Sequence, residues 1–178
     1  MKRKLIEIIK EKSLLTDVAR VLTSGRTSNY YIDIKMTTLD PSGANLVGHL
    51  ILEVLKPYKI DAIGGHTLGA DPIVSSVAVL SAGTERPLSA FIVRKEAKKH
   101  GEMKMIEGPF QKGWRVAVVD DVVTTGGSTL KACRAVEEEG GEVVLALAIV
   151  DRLEGGRENL EKNGYKFISL VTRDDLIK

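Results

Sequence analysis

Two adjacent carboxylates, Asp120 and Asp121, follow the apolar run 116–119 and precede Val122, Val123, Thr124, Thr125, Gly126, Gly127 and Ser128. At the end of a strand such a pair repels itself unless a cation or a donor-rich ligand meets it. The Thr/Gly/Ser stretch offers hydroxyls and approachable backbone N–H groups where the next helix starts, and there unpaired amides and the positive dipole end favour a phosphate. A phosphate cradle beside two acids suits a phosphorylated sugar, with its ring hydroxyls on Asp120 and Asp121. The loop is neither a Walker A motif, which needs Gly-Lys-Ser/Thr, nor GxGxxG. Without a ligand, the same residues read as a strand, a turn and a capped helix.

Four other stretches carry chemistry. In 94–102 (RKEAKKHGE), Arg94, Lys95, Lys98, Lys99 and His100 are opposed by Glu96; they read as a charged surface loop, or as cations for a leaving group such as diphosphate. In 63–72 (IGGHTLGADP), a glycine-rich turn holding Gly65, His66, Thr67, Leu68 and Gly69 joins a strand to a helix and presents amides to an oxyanion, or is a plain turn. His66 lacks the companion ligands of a metal site. In 22–35 (LTSGRTSNYYIDIK), a Ser/Gly/Arg turn feeds a strand whose Tyr30/Tyr31 region can pack on a planar ring. Arg152, ending an apolar run, suits a substrate carboxylate or a surface ion pair.

The elements that must position these residues alternate between helical and β-branched segments, which predicts an α/β fold around a mostly parallel sheet. Strands are expected at 30–35, 60–63, 88–93, 115–119, 143–150 and 166–170, and helices at 41–56, 72–82 and 129–139, with Asp40 and Asp71 as N-caps before proline and Gly83 as a stop. In an open parallel sheet, ligands bind beyond the carboxyl ends of the strands, where Asp120 and Asp121 fall. Residues 1–15 read as an amphipathic helix, because Glu7, Lys10, Glu11 and Lys12 interrupt any signal-like apolar stretch.

The chain has 178 residues, with 26 Lys+Arg against 24 Asp+Glu and a net charge of +2, so no global basic footprint points to nucleic acid. A length of 178 predicts one domain, 1–178. No apolar run reaches the roughly 18 residues of a membrane span. One cysteine, Cys133, forms no intrachain disulfide, and a cytoplasmic location is expected.

Taken together and in this order, the stretches resemble the type I phosphoribosyltransferases. VAVVDDVVTTGGST looks like the family's motif for 5-phosphoribosyl 1-diphosphate (PRPP), while LTSGRTSNYYID, FIVRKEAKKHGE and VDRLEGG are similar to its orotate-using branch. The resemblance implies the type I fold with a small N-terminal hood at about 1–38, a homodimer with shared active sites, Mg²⁺ carried mainly by PRPP, and a role in pyrimidine (UMP) biosynthesis. It implies that Asp120 and Asp121 hold the ribose hydroxyls, with Asp121 catalytic, while residues 122–128 bind PRPP and cradle its 5-phosphate. Arg94, Lys95 and the catalytic Lys98 and His100 belong to a mobile loop that closes over the diphosphate, commonly from the neighbouring subunit. Thr124, Arg152, Tyr31 and Ile32 contact orotate, and residues 65–69 form the pyrophosphate loop. Two departures leave fewer cations for the diphosphate: Thr23 stands where many members have Lys, and many bacterial members have Lys in the pyrophosphate loop near Gly69. The rivals are an enzyme for another base, to which Arg152 would find no carboxylate, and a non-catalytic PRPP sensor.

Overall fold

The computed structural model describes the backbone of residues 1–21, 27–96 and 104–177, and their side chains except at 17–21 and 27–29. In chain order the elements are α1 (Lys2–Lys12), β1 (Leu14–Val21), β2 (Thr27–Ile32), α2 (Lys35–Thr38), α3 (Pro41–Leu55), β3 (Ala62–His66), α4 (Asp71–Ser81) and β4 (Ser89–Val93). They continue with β5 (Ile106–Glu107), β6 (Arg115–Val123), α5 (Gly127–Glu138), β7 (Glu142–Asp151), α6 (Gly156–Lys162), β8 (Phe167–Thr172) and α7 (Arg173–Leu176). Among the described residues, β1 and β2 form an antiparallel pair, and the other strands form one sheet in the order β5-β4-β3-β6-β7-β8.

All pairings in the larger sheet are parallel except that of β5 with β4. Side chains alternate between its two faces. Ile63, Ala117, Val119, Leu145, Leu147 and Ile149 pack with α1, α3 and α4, whereas Val116, Val118, Ala146, Ala148 and Phe91 pack with α5 and α6. Both faces are covered, which is why β6 and β7 read as apolar runs rather than alternating ones. Leu5 and Ile9 of α1 and Ile32 and Ile34 after it join the first of these cores, so the N-terminal segment packs against the sheet.

The strand order locates the site. From β3 the chain winds outward to β4 on one side, then returns to β6 beside β3 and continues to β7 and β8 on the other. The winding direction therefore reverses between β3 and β6, and the crevice beyond their carboxyl ends is where such sheets bind ligands.

Several boundaries differ from the sequence expectation, each for a local reason. Helix α1 stops at Lys12 and Leu14 already belongs to β1; buried Ser13 contacts Thr37 through their hydroxyl oxygens at 2.6 Å, and apolar Leu14 and Leu15 had blurred this break. The strand expected over 30–35 ends at Ile32, where Asp33 accepts from the Lys35 N–H and α2 begins. Asp40 caps α3 through the Ser42 and Gly43 amides. Asp71 does not cap α4: Ala70 is the N-cap, and the Asp71 carboxylate instead accepts from Thr67 Oγ1 at 2.8 Å. β6 runs four residues beyond the expected end at Val119, because Asp120, Val122 and Val123 stay registered with β7.

Candidate active site

Asp120 and Asp121 lie within β6, not just after it, and alternation gives them different surroundings. Asp120 is buried. Its Oδ2 accepts from Ser128 Oγ at 2.7 Å and Thr129 Oγ1 at 2.9 Å, and its Oδ1 accepts from the Asp121 N–H. The first acid thus fixes the start of α5, and Ser128, expected in the phosphate cradle, donates its hydroxyl to Asp120. Thr129 was not foreseen, although a hydroxyl in the first helical turn is a signal for such a tie.

Asp121 is half-buried and accepts from the Val122 N–H at 2.8 Å. Its carboxyl is pushed up to about 6, chiefly by burial and then by the charge of Asp120, with the Val122 amide and Lys35 opposing the rise. Lys35 pairs with Asp33 at 2.7 Å, which raises its own pKa, and it feels Asp121 and Tyr31 as well. It is a cation near the paired acids that the sequence reading had used only to end a strand.

The loop from Val123 into α5 has Gly126 as a left-handed N-cap (φ +78°) with no side-chain cap, which leaves the first amides of the helix for a ligand. Thr125, Gly127 and Ser128 are exposed and Thr124 is half-buried. Opposite lies the turn after β3. Gly65 passes so near the Val119 carbonyl that a Cβ would collide with it, and Ala70 Cβ would be 2.7 Å away. The His66 ring Nδ1 lies 2.8 Å from Thr67 O, the Thr67–Leu68 peptide is cis, and Leu68 is exposed. Gly69 then meets Asp121 across the crevice: a Cβ on the glycine would sit 2.6 Å from the carboxylate carbon.

Arg152 ends the approach from β7. It is 7% exposed; its Nη2 reaches Glu154 Oε1 at 2.9 Å and Tyr30 Oη at 3.3 Å, and the guanidinium lies over the Tyr30 ring at 5.0 Å. Its Nε is buried with no hydrogen-bond partner among the described residues. The tyrosine at Arg152 is Tyr30, and its neighbour Tyr31 faces the other way along the strand. Ile32 shares the Tyr30 face and is buried in the core, so its side chain is withdrawn from a ligand.

Arg94 follows β4 and its backbone N–H donates to Met105 O, so residues 94–105 connect two antiparallel strands at the sheet edge. Its guanidinium is engaged at Glu107 Oε1 (3.0 Å) and Glu96 O (3.2 Å), and Lys95 is exposed. Lys98, Lys99, His100 and Thr23 lie outside the described residues. Among the described residues, no cluster of three or more His, Cys, Asp or Glu side chains could hold a metal, and no helix is long and apolar enough to cross a membrane. Asp121 offers a second carboxylate oxygen beyond the one that takes the Val122 amide, a donor that fits a hard divalent cation held mainly by substrate oxygens.

Sheet, crevice and loops are those of an α/β ligand-binding domain with a sugar-phosphate type of site. The family model "Phosphoribosyl transferase domain" matches residues 44–174. The orotate phosphoribosyltransferase of Aquifex aeolicus is 47% identical over 178 residues, 99% of this chain and 97% of that protein. The crystal structure of Mycobacterium tuberculosis orotate phosphoribosyltransferase with Fe(III) dicitrate superposes with a TM-score of 0.88 at 38% identity, covering 99% of each chain. The same enzyme in complex with PRPP gives 0.83 at 36% identity, covering 98% of each. The chain belongs to the phosphoribosyltransferase family, within the orotate phosphoribosyltransferases.

Proposed function

We propose that this protein transfers the 5-phosphoribosyl group of PRPP to N1 of orotate, giving orotidine 5'-phosphate and diphosphate. One observation carries the reading: Arg152 is buried at the end of β7 with an unpartnered Nε, and its backbone N–H donates to Val123 O at the root of the Thr/Gly/Ser loop. A planar guanidinium in that position suits a planar carboxylate, which orotate carries and the purines and uracil lack. Full-length kinship with orotate phosphoribosyltransferases supports the reading.

In this mechanism the amides of residues 124–128 and the hydroxyls of Thr124 and Thr125 hold the 5-phosphate, with the Ser128 hydroxyl tied to Asp120, while Asp121, with Asp120 behind it, takes the ribose hydroxyls. Arg152 holds the orotate carboxylate, aligning N1 with the sugar carbon. The bond from that carbon to the diphosphate oxygen breaks, the bond to N1 forms on the opposite face, and the N1 proton is released. Lys95, Lys98, His100 and the amides of residues 65–69 stabilise the charge that develops on the diphosphate. Asp121 would help to hold Mg²⁺ brought in with PRPP, and the cation would supply further neutralisation of the leaving group. The enzyme is a homodimer in which Lys98 and His100 serve the neighbouring subunit's site; exposed Met36, Leu39, Leu68 and Val79 are apolar surface available to such a contact.

The test is the ultraviolet absorbance of orotate on mixing with protein, PRPP and Mg²⁺. Orotate is expected to be consumed in the complete mixture and spared when PRPP is left out or the cation is chelated. Unchanged absorbance in the complete mixture would overturn the proposal.

A further inference from the structure

Helix α6 lies against the phosphate-type loop along its whole start. Gly156 approaches Thr124 O so closely that a Cβ there would be 2.7 Å from it, and a Cβ on Gly126 would be 3.0 Å from Gly156 O. Among the described residues one side-chain hydrogen bond spans this seam: Asn159 Nδ2 donates to Thr125 O at 2.8 Å. The Asn159 backbone is fixed by its own helical bond to Gly155 O, and its side-chain oxygen lies 3.3 Å from Asn163 Nδ2, which orients the amide.

The consequence follows from peptide planarity. The Thr125–Gly126 bond is trans, so the Thr125 carbonyl and the Gly126 N–H point in opposite directions. Drawing the carbonyl toward α6 turns the Gly126 N–H away from α6. Gly126 is the left-handed N-cap of α5, and its φ of +78° gives the loop conformational freedom that a side chain would restrict. A peptide so placed can rotate unless its carbonyl is held, and Asn159 is the side chain that holds it.

We propose that Asn159 is a positioning residue, which sets the Thr125–Gly126 peptide so that the loop's amides meet a phosphate. The assignment rests on the reading of this loop as the 5-phosphate cradle. Asn159 touches neither substrate; it acts through Thr125. The hydrogen bond is exposed to solvent, so its loss strands no buried group and leaves folding stability within the small range of surface substitutions.

Isothermal titration of the whole protein with inorganic phosphate tests this without depending on turnover. Asn159→Ala is expected to weaken phosphate binding about three- to tenfold, the worth of one hydrogen bond, with the melting temperature unchanged. The isosteric Asn159→Asp, which puts an acceptor against the Thr125 carbonyl, is expected to weaken it further, and Asn159→Gln, which retains the donor, to recover part of the loss. In steady-state assays the KM for PRPP should rise while the KM for orotate stays fixed. Tighter phosphate binding by wild type than by the Ala and Asp variants supports the assignment whatever the turnover with orotate, so it is separable from the proposed activity. Equal phosphate affinity in all four proteins, or a loss matched by a fall in melting temperature, would overturn it.

Discussion

Gly69, in the turn after β3, and Asp121, within β6, meet with no room between them: a Cβ on the glycine would lie 2.6 Å from Asp121 Cγ and 2.6 Å from its Oδ1. The resemblance to the family implies a lysine in this loop near Gly69, which made this stretch look like the loss of a cation. The contact gives the glycine its own reason, as a side chain there must displace the acid. Gly69→Ala is expected to lower kcat/KM for PRPP by roughly tenfold to a hundredfold, the scale of an ångström-level misplacement. Gly69→Lys should fare no better. Kinetics of the two variants check this, and a gain in activity from the lysine would show that charge outweighs the steric contact.

Asp121 titrates at about 6 because burial and the neighbouring Asp120 disfavour its charged form. An acid raised from 3.8 contributes stability that is complete below pH 3.8 and lost as pH rises through 6. Asp121→Asn should therefore match wild type near pH 3.5 and become the more stable protein above pH 6, as read by chemical denaturation across that range. In activity the sign reverses. The ionised acid serves the ribose, so kcat/KM for PRPP should fall below about pH 6, and the limb should persist in His100→Asn. The Asp121→Asn enzyme should lose on the order of a hundredfold or more in kcat.

Arg152 offers the sharpest discrimination between the two substrates. Arg152→Ala is expected to raise the KM for orotate by about ten- to a hundredfold, the range of a charge-assisted hydrogen bond, with the KM for PRPP little changed. Arg152→Lys keeps the charge and loses the planar fork, so it should recover only part of the affinity. Saturation curves for each substrate give the split; equal effects on both would point to a collapsed turn instead of a lost carboxylate contact.

What the sequence made legible follows from burial and length. β6 and β7 are covered on both faces, so their apolar runs stood out, and the acids at 120–121 could be placed at the sheet's ligand-binding end. α6 was missed because its Gly156–Lys162 span buries only Gly156 and Leu160, too short a pattern to register as periodic. With it went Asn159. The contact of Tyr30 with Arg152 was not readable, since the two residues stand 122 positions apart in the chain. The pairing of Arg94 with Glu107 was not readable either, since the two residues are brought together by the antiparallel return of β5. Lys98 and His100 lie outside the described residues.

The proposed sharing of sites between subunits makes a prediction of its own. Lys98→Ala and Asp121→Ala are each expected to be nearly inactive alone. Mixed and allowed to exchange subunits, they should regain up to about a quarter of wild-type activity, because half of the dimers are hybrids and each hybrid holds one intact site. Verified hybrids without recovered activity would place Lys98 in its own subunit's site.

The most direct measurement of the central claim is turnover of orotate, uracil, adenine and hypoxanthine in parallel, each with PRPP and Mg²⁺ and followed by ultraviolet absorbance. Turnover is expected to be confined to orotate, the base whose carboxylate Arg152 can hold. Comparable turnover of uracil or a purine, or none of orotate, would contradict it.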